Sequence, residues 1–392
     1  MPICQQLKTE LDTIAALAAE FDAAFDHAKE TGDMAEAKAL KARIEEQMAS
    51  LKEKLWPFRE LPRQELEKQY QSHQEILKKT GILERFSTGG EPGLPRSSPE
   101  TMVWGIKGID NKEYPFPSFE TILRLMRENK EVMREKQAQG FTRLLITPFG
   151  MKLEDLAETY KQAVLKHHRE GTLFYTRKDP KDETEALEPV ALHDDCETNP
   201  DHAPLWVWDT YNNADTTGAL VYHPQEFSRK NHRGTTKREL LTSAGGWHIQ
   251  LIEDLPNIPR KDQGKTIGGR PRLDTAGSSI TPYIKQGKTV PSPQEYLTAL
   301  HQDPRYRHEH GMTPEDQLAY AILHLEQTNQ VIDNYQGNGS ISYQLGAYFP
   351  ASGAVPYACW YRDGRQARLG RLDPGGRDGV CGVRSGVRVL KP

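Results

Sequence analysis

Three absences frame this chain of 392 residues. It has no apolar run near the length of a membrane span, and its amino terminus, MPICQQLKTELDTIAALAAEF, lacks a basic stretch followed by a continuous apolar core. A membrane-spanning or Sec-exported protein is not expected; a cytoplasmic one is, with display on a cell surface or virion left open. Cysteine is sparse: Cys4, Cys196, Cys359 and Cys381 show no CxxC or zinc-finger spacing, which argues against a disulfide framework or a structural metal site. Cys359 and Cys381 read as reduced thiols, with a bridge between them as the alternative. Neither charge sign dominates, since the net charge is −4 and mean hydropathy is −0.72. Such a chain has no global pull toward nucleic acid or membrane.

The third absence is local. The 49 residues from Ser342 to Leu390 contain no Asn, Lys, Thr, Ile, Met, Glu or His, whereas residues 1–341 contain 133 of them. Every codon for each of those seven contains adenine. In their place stands WYRDGRQARLGRLDPGGRDGVCGVRSGVRVL, rich in Arg, Gly and aromatics. A GC-rich or frameshifted end gives a similar excess of Arg and Gly. Yet the segment closes on GVRSGVRVL, whose Val387 and Val389 share one face of a strand.

The amino-terminal segment is helical. Leu7, Leu11, Ile14, Ala18, Phe21, Phe25 and Ala28 alternate spacings of four and three, the seam of a coiled coil. Thr31-Gly32-Asp33 supplies a turn, and Ile44, Met48, Leu51 and Leu55 repeat the pattern in a second helix. An intramolecular hairpin and an oligomerising stalk fit equally, so a homo-oligomer through these helices stays open. A third helix runs from about Arg63 to Thr80 and stops at Gly81. Residues 1–86 are thus expected to form a helical hairpin or coiled coil, and 87–115 a linker and short turn segment around Asp110-Asn111. Residues 116–200 read as a helix-strand-helix segment: a helix over roughly Ser118 to Gln139, the strand FTRLLITPFG, and a helix Leu153 to Arg169. An exposed loop is expected over 177–204. Short strands follow in LWVWDTY, GALVYHP and GWHIQLIEDLP, then helices near Ser292–Gln302 and Thr313–Asn329. In the latter Thr313 caps, Pro314 opens, and Leu318, Ile322 and Leu325 mark the buried face.

No active site is nominated. P-loop and GxSxG patterns are missing, and Gly337-Asn338-Gly339 and Gly268-Gly269 are turn signals only. His167-His168 and His308 with His310 lack the paired spacing of a helical zinc site and read as solvated. HDDCE at 193–197 has ligand-type atoms without ligand spacing. No metal and no cofactor is expected. The arginines from Arg362 to Arg388 are diluted by Asp363, Asp373 and Asp378, with which several are expected to pair, so nucleic acid is not the favoured partner.

The terminal pattern YFPASG followed by ACWYRDGRQARLGRLDPGGRDGVCGVRSGVRVL resembles the variable region of target proteins of diversity-generating retroelements. Their C-type lectin-like fold is shared with formylglycine-generating-enzyme-like domains. In that family a reverse transcriptase copies a template repeat with errors at adenines, and the copy replaces the end of the target gene. The resemblance implies an α+β chain ending in a C-type lectin-like domain over 201–392, with a variable region at about 345–392. It implies that Trp360, Arg362, Gly364, Arg368, Gly370, Arg377, Gly379, Gly382, Val383, Arg384, Val387, Arg388 and Val389 hold the scaffold. The diversified, ligand-contacting positions are expected at Tyr357, Cys359, Tyr361, Asp363, Gln366, Arg371, Leu372, Gly375, Gly376, Val380 and Cys381. The implied function is binding of a protein or other macromolecular ligand without turnover. Two rivals are a thiol-dependent oxidase using Cys359 and Cys381, and an Arg-rich nucleic-acid binder.

Overall fold

A computed structural model describes residues 3–31, 33–55, 62–87, 102–177, 182, 184–258, 284–285, 288–289 and 291–389. The linker over 88–100 and the loop GKTIGGRPRLDTAGSS lie outside them. The architecture is α+β. Helices Ile3–Thr31 and Ala35–Leu55 pack side by side. Between them lie Leu17, Ala28, Ala37 and Leu40, while Leu11, Phe25 and Met48 of the expected seam remain exposed. A seam spaced by alternating threes and fours drifts around a straight helix of 3.6 residues per turn, so a single neighbour covers only part of it. No helix among the described residues is long and apolar enough to cross a membrane.

The axle of the remaining fold is the helix Pro314–Thr328. Thr313 accepts from the Asp316 backbone N–H while Asp316 accepts from that of Thr313, Pro314 takes the first turn, and Asn329 closes the helix at φ 62°. It is buried on all sides from Pro314 to Leu325, not only along Leu318, Ile322 and Leu325. The cause is its company: helix Leu153–Arg169 and strands Phe141–Thr147 and Val355–Tyr361 all pack against it.

Two sheets flank this axle. An antiparallel sheet runs in the order Glu309–Gly311, Ser385–Arg388, His248–Glu253, Phe141–Thr147. A mixed sheet runs Cys381–Val383, Ile341–Tyr343, Val355–Tyr361, Gln366–Leu372, Leu205–Val207, with Asn334–Tyr335 paired to the end of Val355–Tyr361. The expected boundary at residue 200 is therefore crossed by hydrogen bonds, since Phe141–Thr147 shares its sheet with Ser385–Arg388 and its core with Leu205, Trp360 and Val389. Local composition registers segments, whereas pairing between strands more than 100 residues apart, as between Phe141–Thr147 and His248–Glu253, leaves no local trace.

Three further expectations are corrected. Residues 102–107 and 113–115 are strands of a meander with Glu84–Ser87 rather than a turn segment alone, joined by the expected turn where Asn111 takes φ 64°. The helix over 118–139 is two, Phe119–Glu128 and Lys130–Ala138, broken at Asn129. There the Asn129 amide donates to Leu125 O at 3.0 Å and to Val389 O at 3.2 Å, holding a non-helical backbone. Of the loop expected over 177–204, the described part from 184 onward is anchored, with Val190, Leu192 and Cys196 in the core.

Several charged groups inside the fold are matched. Lys237 lies 2.7 Å from Asp215 and 2.9 Å from Glu315, and all three are fully buried. Lys136 meets Glu309 at 2.9 Å, and Arg384 meets Asp333 at 2.9 Å. Such pairs are tolerated in low dielectric because each charge has a partner and additional hydrogen bonds.

Candidate ligand-binding face

Strand alternation sorts the terminal segment into two faces. The register Tyr357↔Gly370, Cys359↔Arg368 and Tyr361↔Gln366 places Val355, Tyr357, Cys359, Tyr361, Gln366, Arg368, Gly370 and Leu372 on one side of the mixed sheet. Ala358, Trp360, Ala367 and Leu369 point the other way, into the core. Pairing across Ile341–Tyr343, Cys381–Val383, Asn334–Tyr335 and Leu205–Val207 extends the first face with Tyr343, Cys381, Tyr335 and Trp206.

On that face Tyr357, Tyr361 and Leu372 are each partly exposed; Tyr357 and Leu372 pack against the second core, and Tyr361 lies at the turn end of the hairpin. A stack crosses it: Tyr335 lies on Tyr361 at 5.8 Å and 22°, the Arg368 guanidinium sits 4.0 Å from the Tyr361 ring centroid, and 5.6 Å beyond is Trp206. Guanidinium on aromatic faces fixes side chains that are otherwise rotamer-rich, which lowers the entropy lost on binding a partner. The face ends at the loop Asp373–Val380, turned by Gly376 N–H on Asp373 O at 3.0 Å and Gly375 N–H on the Asp373 carboxylate at 2.7 Å. Asp363, Gly375 and Val380 are exposed and Gly376 partly so.

Four expected contact residues are displaced from this surface. Cys359 and Cys381 point the right way but are buried, and Gln366 is 4% exposed. With its amide oriented to suit, Gln366 donates to Ala203 O at 3.0 Å and Asp201 O at 3.2 Å, tying the hairpin to the preceding loop. Cys381 is covered because Tyr343, Val383 and the helix Pro293–Gln302 close over that end of the face. Arg371, opposite Pro356, stands on the reverse side and reaches the Trp208 ring at 4.9 Å. Alternation tells which side a residue takes, not whether another element covers it. The sequence reading also missed Trp206, Trp208 and Tyr335; the two closely spaced tryptophans of LWVWDTY, whose rings meet edge to face at 5.4 Å, were the available signal.

The thiols are unsuited to redox work. Cys359 and Cys381 are free and separated by the intervening strand Ile341–Tyr343, about 9.5 Å at two strand spacings. Burial pushes the Cys381 thiol up to about 12 and that of Cys359 higher still, whereas a reactive cysteine needs an accessible thiolate. The arginines are also engaged, and by partners other than the expected aspartates: Arg362 pairs with Glu188, Arg377 with Glu295 at 2.6 Å, and Arg384 with Asp333.

The histidines split. His167 is buried, with Nδ1 3.0 Å from Thr172 Oγ and Nε2 3.4 Å from Glu326, so it is not solvated. His193, Asp195 and His202 converge with ligand atoms within 4.8 Å, although sequence spacing gave no hint of His202. His202 Nδ1 is 2.6 Å from Asp195, the two rings stack at 4.1 Å, and His193 Nε2 contacts Gly364 O at 3.3 Å. These bonds already account for the group as a clasp on the hairpin turn.

Compared with known proteins, the chain matches no family model, no curated protein and no solved structure.

Proposed function

We propose that the chain is a ligand-binding protein whose carboxyl-terminal face, carried on a C-type lectin-like domain, is diversified by retroelement-directed mutagenesis at adenines. The observation that carries the reading is the coincidence of two independent features. The segment lacking Asn, Lys, Thr, Ile, Met, Glu and His supplies the partly exposed Tyr357, Tyr361, Arg368 and Leu372 on one face. It also supplies, on the reverse side, the buried Trp360 and Leu369 that hold the sheet. Side chains on the open side can change while the buried set stays, so variation costs little stability. Tyrosine offers large contact area at low entropic cost. The ligand is a protein or other macromolecule, and the exposed Leu11, Phe25 and Met48 of the helical hairpin support contact with a second copy of the chain.

The test is the DNA flanking the coding region. A near-copy of the terminal coding segment is expected, differing only where the copy has adenine, with differences falling on codons for Tyr357, Tyr361, Asp363, Leu372, Gly375, Gly376 and Val380. Absence of a copy, or differences clustered on the codons of Trp360, Leu369 and Val387, overturns the reading.

A further inference from the structure

Away from the ligand-binding face, a cavity of about 990 Å³ opens between the break at Asn129, the 308–311 segment and the last strand. Arg388 lines it. The Arg388 Nη2 donates to the His223 ring, 3.2 Å from Nδ1, and its Nε has no hydrogen-bond partner. Among the described residues no carboxylate forms an ion pair with Arg388. Two carboxylates of the surrounding network are taken: Glu309 by Lys136 at 2.9 Å and Ser385 at 2.7 Å, and Asp316 by the Thr313 N–H at 3.0 Å and His248 at 3.3 Å. A guanidinium that is largely withdrawn from water and lacks a direct counter-ion carries a desolvation cost that an incoming anion relieves.

The neighbours fit the same conclusion. Because Arg388 can only donate, the His223 nitrogen facing it is an acceptor and the ring is neutral. His310 Nε2, 2.8 Å from the Gln250 carbonyl oxygen, is the donor of that bond. Burial first, and then Arg388, hold both imidazoles well below their ordinary value, so neither adds a competing cation nor repels one. At the mouth stand Arg127, Lys130 and Arg233, all exposed and without ion-pair partners among the described residues, against Glu131 and a Glu128 carboxylate bound by Arg124 at 2.8 Å. Between cationic mouth and Arg388 the lining includes Val132, Met133, Leu240, Leu297 and Leu345.

We propose that this cavity is a binding site for a small organic anion, one phosphate or carboxylate head on an apolar body, with the head on Arg388 and the body on the aliphatic wall. The volume is that of an ordinary small-ligand pocket. The site is independent of the terminal recognition face.

Isothermal titration of the full chain with phenyl phosphate, benzoate, inorganic phosphate and benzyl alcohol tests it. Phenyl phosphate or benzoate is expected to bind saturably at one site, the preferred head being whichever binds tighter. Inorganic phosphate is expected to bind more weakly for want of the body, and benzyl alcohol not to compete. Arg388→Gln should weaken binding roughly tenfold or more, the size of a lost charge-assisted bond. Should that variant not fold, the surface double variant Arg127→Gln/Arg233→Gln should weaken binding a few-fold at unchanged Tm. Tyr361→Ala should leave it unaltered. Failure of both aromatic anions to bind at millimolar concentration, benzyl alcohol binding as tightly as they do, or affinity indifferent to the arginine substitutions overturns the proposal.

Discussion

Tyr357 lies across Gly370 of the neighbouring strand, so closely that a Cβ at position 370 would fall 2.4 Å from the ring carbons. The glycine is what lets the tyrosine lie down on the sheet. Gly370→Ala should destabilise the protein by about 1–3 kcal/mol, the cost of overpacking, and combining it with Tyr357→Ala should recover most of that loss. Denaturant unfolding of the four proteins of the cycle measures the coupling. An equal penalty for Gly370→Ala in both backgrounds would show that the ring is not the obstacle.

The terminal segment should divide sharply in its tolerance. Substitutions at Asp363 and Val380, which face water, are expected to move stability by no more than about 0.5 kcal/mol. Enlarging Cys359 or Cys381 to Tyr should cost about 1–3 kcal/mol or more, because both sites are closed. Thermal unfolding of a small panel at these positions decides whether surface and floor have been assigned correctly.

Removing one member of the buried triad should be among the most damaging single changes. Lys237→Met leaves Asp215 and Glu315 facing each other without a cation, and a loss of about 3–5 kcal/mol is expected. A variant as stable as the parent would mean that the carboxylates are protonated or hydrated.

Acid should unfold the protein through its buried histidines. His73, whose Nε2 accepts the Ile146 backbone N–H at 3.2 Å, and His324 are held down to about 3, in both cases chiefly by burial. The unfolded chain takes up these protons near 6.5, so the folded state loses stability as pH falls from about 6.5 toward 3, at about 1.4 kcal/mol per pH unit for each group. Asp316, held below the ordinary carboxylate range by His248 against the effect of burial, adds a loss that begins only under about pH 4. His73→Gln should flatten the slope between pH 6 and 4 by about one proton, read from urea midpoints across that range; an unchanged slope would place His73 in contact with solvent.

The thiols should be silent. In the native protein Cys196, Cys359 and Cys381 are expected to react with a chromogenic disulfide reagent only at the rate of unfolding, since all three are buried and their thiol values are raised. Rapid labelling of Cys359 or Cys381 without denaturant would revive a thiol-based activity.

What was legible in the sequence was what a few neighbouring residues decide. Thr313-Pro314 with Asp316 is a helix start by its own chemistry, Gly81 a stop, and Asn111 a turn. The face shared by Tyr357, Tyr361 and Leu372 follows from alternation within a hairpin. What stayed hidden was set by partners far away. The Trp206–Arg368 contact depends on a parallel pairing across about 160 residues, and the burial of Cys381 on a helix that begins at Pro293. Lys237 and Glu315 look like surface residues until folding brings them within 2.9 Å. Charge patterning reports the expected company of a side chain in water, and says nothing where the chain supplies that company itself.

The strand Ser385–Arg388 lies between Glu309–Gly311 and His248–Glu253, an interior position in its sheet. A nascent chain therefore cannot complete this sheet until Ser385–Arg388 has been made, and any premature stop or shifted frame upstream of it yields a product missing a central plank. Errors that change a codon at the recognition face leave a foldable molecule; errors that break the frame produce one fit only for degradation. Completion of the fold thus acts as a checkpoint on the reading frame as far as this strand.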